Sequence, residues 1–350
     1  MDVREQLLTA ERVRALRWRE GVLRVLDQRQ LPARECWLTL EQVGAVAEAI
    51  REGAVRGGAA EAIAGAYGLV LGLRARLAAG QDWATGLEED LELLRRARPE
   101  SRQLARALDW LSARLGRLAL GEDPLAVAER EADTLLASDR EASLVIAQYG
   151  LELLQRHDEG ARAVLVHGNA GALSGGGFGT ALGIVRAGWR AGLIEHVHVA
   201  EGCPGREGAR LTAWELRADE LPVTVCADTA LGLLMKGERI GWLIVGAERI
   251  AANGDVAAPL GTYPLTVLAM HHGLRVMVAA SSACIDLAAE HGEELLLEPE
   301  GEEIRQMDSL APALDVTPAD LLDAIVTERG LVERPDAQKL AALMCHKRLH

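Results

Sequence analysis

Four short segments of this 350-residue sequence combine residue types and spacings that could do chemistry. The first, HGNAGALSGGGFGT at residues 167–180, leaves a predicted strand and enters a helix predicted over residues 181–191. Its glycines let backbone amides approach a ligand, and the N-terminus of the following helix carries partial positive charge. The segment therefore suits an anion, although a plain flexible connection between strand and helix accounts equally well for its composition.

The second and third segments carry charged side chains. GARLTAWEL at residues 208–216 has the pattern of an amphipathic helix, and Arg210 near its start could hold an anion or a carboxylate. VGAERIAANGD at residues 245–255 places the carboxyl of Glu248 just beyond a predicted strand, a fair position for a general acid or base. The alternative for this third segment is a simple turn, in which Asn253 and the following glycine supply the left-handed conformation.

The fourth segment, LGTY at residues 260–263, opens another predicted helix, and its simplest interpretation is that Thr262 caps that helix. The five cysteines are odd in number and widely spaced and form no CxxC pair, which is typical of reduced thiols. His271 and His272 are adjacent on a predicted helix and point in different directions, so they make a poor pair of metal ligands. We therefore expect no metal site.

The elements that position these segments are of two kinds. The first half predicts a hairpin and then one helix after another, because apolar residues recur at helical spacing and Gly, Pro and Asp separate the runs. The hairpin strands are predicted at residues 15–18 and 22–26, and the helices at residues 40–54, 63–79, 86–96, 103–118 and 125–155.

The second half predicts a parallel sheet. Short apolar runs rich in β-branched residues alternate with helical stretches, at spacings that suit a crossover through a helix. The runs lie at residues 163–167, 196–200, 223–227, 242–246 and 276–280. Continuous apolar strands of this kind are covered on both faces. Ligands of such sheets bind beyond the carboxyl ends of the strands, which is where the first and third segments begin.

The predicted fold class is therefore α/β, with a small helical N-terminal domain and a doubly wound, Rossmann-like C-terminal domain. We place the domains at residues 1–150 and 151–350, since 350 residues exceed what one hydrophobic core usually serves. The last twenty residues are rich in Lys, Arg and His, and we expect a polar tail of uncertain order there.

The composition of the chain limits the kinds of partner and the location that we expect for it. The net charge of −14, without a basic run, argues against binding to nucleic acid, which depends on Lys and Arg neutralising phosphates. No run of 18 or more apolar residues occurs, so no membrane span is expected. The charged N-terminus lacks the apolar stretch of a signal peptide, and we expect a cytoplasmic location.

The same segments resemble the methylthioribose-1-phosphate isomerase family, part of a superfamily with ribose-1,5-bisphosphate isomerase and the alpha, beta and delta subunits of translation initiation factor 2B. The resemblance extends over about residues 14–332. Besides the runs quoted above, it rests on LDQRQLP, on Arg56-Gly57 and Arg98-Pro99, on LGTYPLTVLAMHHGLRVMVAASSACIDL, and on ALDVTPADLLDAIVTERG.

The resemblance implies a homodimer of two-domain chains that converts a ring-closed sugar 1-phosphate into an open ketose phosphate, in methionine salvage, without a metal or nucleotide cofactor. The partner so implied is a small phosphorylated sugar. The residues implied to bind this substrate or its phosphate are Arg56, Gly57, Arg98, Asn169, Gly177, Glu207, Arg210 and Asn253. We expect the phosphate between residues 175–180, Arg56 and Arg98, which combine helix-end amides with guanidinium groups.

Four departures from the family pattern affect its chemistry. Gly168 stands where the family has the catalytic cysteine, and Glu248 where it has the catalytic aspartate. Glu207 replaces a glutamine, and Ala258-Pro259 replaces an Asn-Lys pair, so a carboxylate is gained and a cation is lost. Two hypotheses follow: an isomerase acting on the same or an altered substrate, or a non-catalytic relative that binds a metabolite or a protein partner. We predict isomerisation far slower than in an intact family member, or none.

Overall fold

The computed structural model describes residues 7, 11–157, 162–237, 240–296, 304–306, 309–311 and 313–345. They divide into two compact units, which are described separately. The helical unit comprises Val13–Glu141 and Ala172–Gly177, and the sheet unit comprises the described residues of Met1–Arg12, Ala142–Gly171 and Phe178–His350. The division therefore falls before the boundary predicted at residue 150, and it gives part of the glycine-rich segment to the helical unit.

The helical unit begins with a three-stranded antiparallel sheet of β1 (Leu16–Arg19), β2 (Val22–Leu26) and β3 (Trp37–Leu40). Glu20 and Gly21 join the first two strands with φ values of 53° and 77°, the left-handed backbone that a two-residue hairpin turn needs. The predicted hairpin is thus confirmed. The third strand was missed, because the helix predicted from residue 40 begins only at Val43.

Helices form the rest of this unit: α1 (Val43–Arg51), α2 (Gly58–Ala78), α3 (Leu87–Ala97), α4 (Arg102–Leu115) and the first part of α5 (Pro124–Arg156). The predicted helical series is confirmed, with differences of a few residues at the ends. Helix α2 is buried along most of its length, as its almost continuous apolar sequence requires.

The strands of the sheet unit are β4 (Arg162–His167), β5 (Ile194–Ala200), β6 (Val223–Cys226), β7 (Ile240–Val245), β8 (Arg249–Ala251), β9 (Val256–Pro259), β10 (Arg275–Ala279), β11 (Ile285–Asp286), β12 (Ile304–Gln306), β13 (Ser309–Ala311), β14 (Leu314–Thr317), β15 (Ala324–Thr327) and β16 (Gly330–Glu333). A seven-stranded sheet has the order β16-β15-β10-β7-β4-β5-β6, and only β16 runs antiparallel to its neighbour. All five strands predicted from the sequence are confirmed.

Helices cover both faces of this sheet: the rest of α5, then α6 (Ala181–Arg190), α7 (Ala213–Ala218), α8 (Leu231–Gly237), α9 (Thr262–His272) and α10 (Ala337–Cys345). Side chains of β4 alternate between two apolar clusters. Val164 and Val166 pack in the cluster that contains Ile184, and Leu165 packs in the one that contains Leu231. The sheet is therefore doubly wound, as the alternating pattern predicted.

Several features of the sheet unit were not predicted, among them strands β15 and β16 of the large sheet and the β12–β13 pair. A second, four-stranded sheet has the order β11-β8-β9-β14, built from strands too short to show a clear period in the sequence. Residues 337–345 form helix α10, whose Leu340 is fully buried, so the expected tail is wrong over these residues. Residues 346–350 of that prediction lie outside the described residues. Among the described helices, none is long and apolar enough to cross a membrane.

Candidate active site

The carboxyl ends of three neighbouring strands bring most of the predicted residues of the sheet unit to one edge. Strand β4 lies between β7 and β5 and is parallel to both. Gly168 and Asn169 directly follow β4, Glu248 follows β7, and Glu207 and Arg210 lie beyond β5. The structure therefore places these five residues at adjacent strand ends, where ligands of doubly wound sheets bind.

Gly168 has a backbone that resists a side chain. Its φ is +79°, in the left-handed region that favours glycine. A Cβ atom at this position would lie 3.1 Å from Cγ of Pro259, closer than most real Cβ contacts. The carbonyl oxygen of Gly168 accepts a hydrogen bond from Oγ1 of Thr212 at 2.6 Å. Gly168 and Pro259, two of the positions that depart from the family pattern, therefore lie next to each other, and the ring of Pro259 restricts the space for a side chain at residue 168.

Glu248 begins the β8–β9 hairpin, and its side chain is exposed. Its backbone N–H donates to the carbonyl of Ala257 at 3.0 Å, which fixes the residue at the open end of the hairpin. A carboxylate held by its backbone at a strand end and accessible to solvent can accept and return a proton.

Glu207 and Arg210 lie on a wide turn. Residues Gly208–Thr212 form one π-helical turn before the regular helix α7, where the sequence predicted a continuous helix. Arg206, just before it, has a φ of +54°. The tight packing of Gly208 against the carbonyl of Ala200 holds the turn close to the end of β5. Such turns recur at functional sites because they re-aim side chains.

Asn253 does not join this edge. It lies at the tip of the β8–β9 hairpin, at the opposite end from Glu248. Its Nδ2 donates to Asp255 at 2.8 Å and contacts Nδ1 of His291 at 3.2 Å. Gly254 follows with a φ of +95°. The expected turn is confirmed, and the contacts of Asn253 are those of a turn residue.

The N-terminus of helix α9 is capped by a residue that the sequence did not suggest. Asp315, on β14, accepts hydrogen bonds from the backbone N–H groups of Gly261 at 2.7 Å and Tyr263 at 3.2 Å. Burial raises the pKa of Asp315, and these two amides and the charge of His167 oppose that shift. Thr262 instead donates to the carbonyl of Pro259, so its interpretation as the cap is wrong.

In the helical unit, Arg56 and Gly57 meet the glycine-rich segment. Gln28 is almost fully buried, and its Nε2 donates to the carbonyls of Leu173 at 2.7 Å and Arg56 at 3.4 Å. Gly57 has a φ of +105°, and a side chain there would overlap Ser174. Gln28 lies in the LDQRQLP run, whose structural role only the fold revealed.

Arg98 and the glycine-rich segment near Gly177 both contact carboxylates in this unit. Nε of Arg98 is 2.7 Å from Glu100 and 3.8 Å from Glu61. Burial raises the pKa of Glu61, although Arg98, Ser101 and Arg56 oppose the shift. The backbone N–H of Gly176, the residue before Gly177, donates to the carboxylate of Asp139 at 2.6 Å. Arg98 and the Gly176 amide therefore both contact carboxylates already, and an anion bound at either group would compete with that carboxylate.

The described residues contain neither a metal-binding cluster nor a disulfide. Within the described ranges, no three or more His, Cys, Asp or Glu side chains are grouped so that they could hold a metal ion. The five cysteines are all free thiols. The chemistry available at the strand ends is therefore that of Glu248, of backbone amides and of nearby polar side chains.

The doubly wound sheet, with Glu248 and Arg210 beyond the carboxyl ends of strands on either side of β4, is an architecture of α/β proteins whose ligands bind at this edge. The sequence model of the Initiation factor 2 subunit family matches residues 54–334. The chain belongs to that family.

Within the family, two similar curated relatives are methylthioribose-1-phosphate isomerases. The chain is 54% identical to the methylthioribose-1-phosphate isomerase of Pseudomonas entomophila (strain L48) and 52% identical to that of Pseudomonas putida (strain GB-1). Each comparison covers 99% of this chain and 100% of the relative. The resemblance predicted from the sequence is confirmed.

Solved structures agree. The 5-methylthioribose 1-phosphate isomerase from Pyrococcus horikoshii OT3 is similar with a TM-score of 0.86 and 31% identity, over 98% of this chain and 99% of that one. The delta subunit of translation initiation factor eIF-2B from A. fulgidus is similar with a TM-score of 0.78 and 32% identity, over 94% and 99%.

Proposed function

We propose that this protein isomerises methylthioribose 1-phosphate to the open ketose phosphate, a step of methionine salvage. The observation that carries the proposal is the 52–54% identity to methylthioribose-1-phosphate isomerases over their whole length. The position of the Glu248 carboxylate, at a strand end beside that of Gly168, supports it.

In the proposed reaction, the C1–O4 ring bond breaks and O4 takes up a proton; a proton then leaves C2 and is returned at C1, and the C2 hydroxyl gives up its proton as the C2 carbonyl forms. Glu248 is the residue assigned to carry the proton from C2 to C1, as base and acid in turn. Arg56 and Arg98 are assigned to the phosphate, since guanidinium groups form strong charge-assisted hydrogen bonds with it. No metal or nucleotide cofactor has a role in this proposal.

One observation favours a second candidate, a non-catalytic protein that binds a phosphorylated metabolite or a protein partner. Gly168 has no side chain for proton transfer, and Pro259 packs where such a side chain would extend. The altered pair therefore removes a proton-transfer group and a cation together. An isomerase that relies on Glu248 alone would work slowly, whereas a binding protein would need neither group.

The test is an isomerase assay on the purified protein with methylthioribose 1-phosphate, run beside a thermal-shift titration with the same compound. Conversion that depends on Glu248 supports the isomerase. Saturable stabilisation without any conversion contradicts the isomerase and supports the binding protein.

We further propose a cytoplasmic homodimer that does not bind nucleic acid. The resemblance to a dimeric family and the net charge of −14 support this. Light scattering at micromolar concentration is expected to give the mass of two chains, and a purely monomeric protein would contradict the dimer.

A further inference from the structure

The glycine-rich segment is closed at its base, within the sheet unit. Leu182, in the first turn of α6, donates its backbone N–H to the carbonyl of Ala170 at 3.2 Å. Gly179, with a φ of +73°, packs so tightly against the backbone of Gly171 that a side chain on Gly179 would overlap it. Gly171 and Phe178 are therefore the two chain ends between which residues 172–177 run, and we call them, with Gly179, the loop base.

A buried ion cluster holds both sides of this base. Arg186 on α6 donates through Nη1 to the carbonyl of Phe178. Its Nη2 lies 2.5 Å from Glu215 and 2.6 Å from Asp219, and its Nε donates to Asp219 at 2.7 Å. Glu215 is fully buried, and its carboxylate fills the space in which a side chain of Gly171 would stand.

The cluster does more than fill a core. Arg186 is 3% exposed, and an ion cluster so deeply buried is costly unless its geometry is well satisfied. One of its N–H groups serves the loop carbonyl of Phe178, a non-glycine residue held at a φ of +61°. That backbone conformation is uncommon for a large side chain and persists only where the surroundings impose it.

We propose that Arg186 and Glu215 are positioning residues that fix the loop base, and thereby order the glycine-rich segment that starts and ends there, for the binding of a sugar phosphate. Arg186 holds the Phe178 end of the loop by donating to the carbonyl of Phe178, and Glu215 holds the Gly171 end by packing against Gly171. The inference rests on the proposed function for the ligand, whereas the ordering of the loop is a property of the protein alone.

The chain offers a matched control in its helical unit. Arg76 also pairs with a buried carboxylate, Asp90, at 2.7 Å, and also donates to the carbonyl of a left-handed residue, Gly86, at 2.7 Å. Gly86 is the N-cap of α3, whereas Arg98 follows its C-terminus. Eleven residues of helix, about 16 Å, separate the two. The described side-chain hydrogen bond and ion pair of Arg76 are with Gly86 and Asp90 and with none of the loop-base residues, so Arg76→Lys makes the same chemical change without altering the loop base.

The experiment compares Arg186→Lys and Arg76→Lys with the natural protein by hydrogen exchange and by calorimetric titration with methylthioribose 1-phosphate and with inorganic phosphate. Lysine keeps the charge but replaces the planar guanidinium fork, whose Nε, Nη1 and Nη2 reach Asp219, Phe178 and Glu215, by a single ammonium group. We expect Arg186→Lys to speed amide exchange in peptides spanning residues 170–180 at least about tenfold and to weaken ligand binding by about 10- to 100-fold. Arg76→Lys should change neither.

The outcomes separate this inference from the proposed function. Unchanged exchange in residues 170–180, or an equal increase across β4 and β7, overturns it whatever the enzyme assay shows. A changed loop and weakened binding in a protein without turnover support it and contradict only the isomerase. If Arg186→Lys does not fold, Glu215→Gln keeps the shape at Gly171 and is expected to change the same peptides. Unaltered exchange there in Glu215→Gln then overturns the inference.

Discussion

The candidate phosphate residues of the helical unit and the strand ends of the sheet unit differ in how closely they keep the family pattern. In the helical unit, Arg56, Gly57 and Arg98 all match it. At the strand ends, Gly168 and Glu248 stand at the positions where the resemblance implies a catalytic cysteine and aspartate. The groups assigned to holding the ligand are thus kept, and those assigned to the chemistry are changed.

Phosphate binding and proton transfer respond differently to the loss of a single side chain. Phosphate binding sums several charge-assisted hydrogen bonds, so the loss of one cation weakens it by degrees. Proton transfer depends on single positioned groups that each contribute about 10²–10⁴-fold. A chain that has the family's arginines but not its cysteine is therefore expected to keep much of the ligand affinity of an intact family member while losing most of its turnover rate.

Glu248→Gln should give the largest effect, a loss of about 10²–10⁴-fold in turnover with little change in substrate affinity, because the amide cannot take up the proton. Steady-state kinetics measure this. The control is Glu195→Gln, an exposed carboxylate near the amino end of β5. Equal turnover rates in the natural protein and in Glu248→Gln would show that Glu248 transfers no proton. The contrast between a ligand-holding helical unit and catalytic strand ends would then be wrong.

The combined variant Gly168→Cys, Glu207→Gln, Glu248→Asp, Pro259→Lys is expected to raise turnover by about 100-fold or more, since it returns a proton-transfer group and a cation. Gly168→Cys alone should gain little, because the φ of +79° and the ring of Pro259 oppose a side chain.

The same assay settles our prediction of a slow enzyme. A natural protein that already turns over at about 1–10³ per second would contradict that prediction. The four departures would then be tolerated changes, and both regions would be equally intact.

Arg98→Ala is expected to weaken binding of methylthioribose 1-phosphate by about 10- to 100-fold, the usual loss for a hydrogen bond to a charged group. Calorimetric titration measures it. Arg96→Ala is the control, because Arg96 is exposed and pairs only along its helix with Glu92 in the described contacts. Unchanged affinity for every sugar phosphate tested would show that the phosphate is not placed at Arg98.

The smallest effect concerns Glu61, whose pKa burial raises from 4.5. A raised pKa in the folded state contributes stability that is complete below the unfolded value and is lost as the pH rises through the folded value. Glu61→Gln, which stays neutral, should therefore gain about 1–3 °C in melting temperature relative to the natural protein on going from pH 4 to pH 8. A difference that does not vary with pH would mean that Arg98 and Arg56 compensate fully for the burial of Glu61.

The sequence predicted the elements with a strong period and missed those without one. Five strands of the seven-stranded sheet were found because their apolar runs are continuous, whereas β15 and β16 at its edge were missed. Strands β8, β9, β11 and β14 span two to four residues each, and all their pairings except the β8–β9 hairpin join distant parts of the sequence, so no clear local pattern marks them. For the same reason Asp315 could not be recognised as the cap of α9, nor Gln28 as the link between Arg56 and Leu173.

The amino-acid sequence by itself determined the fold class, the family and the identity of the altered positions, because periodicity and motif runs are local properties of the chain. Only the tertiary structure decided which of those positions act on one another. It placed Pro259 beside Gly168, gathered Arg186, Glu215 and Asp219 into one buried cluster, and sent Asn253 to the far end of its hairpin. Such contacts depend on how distant strands and helices pack, and side-chain types alone do not encode these distances.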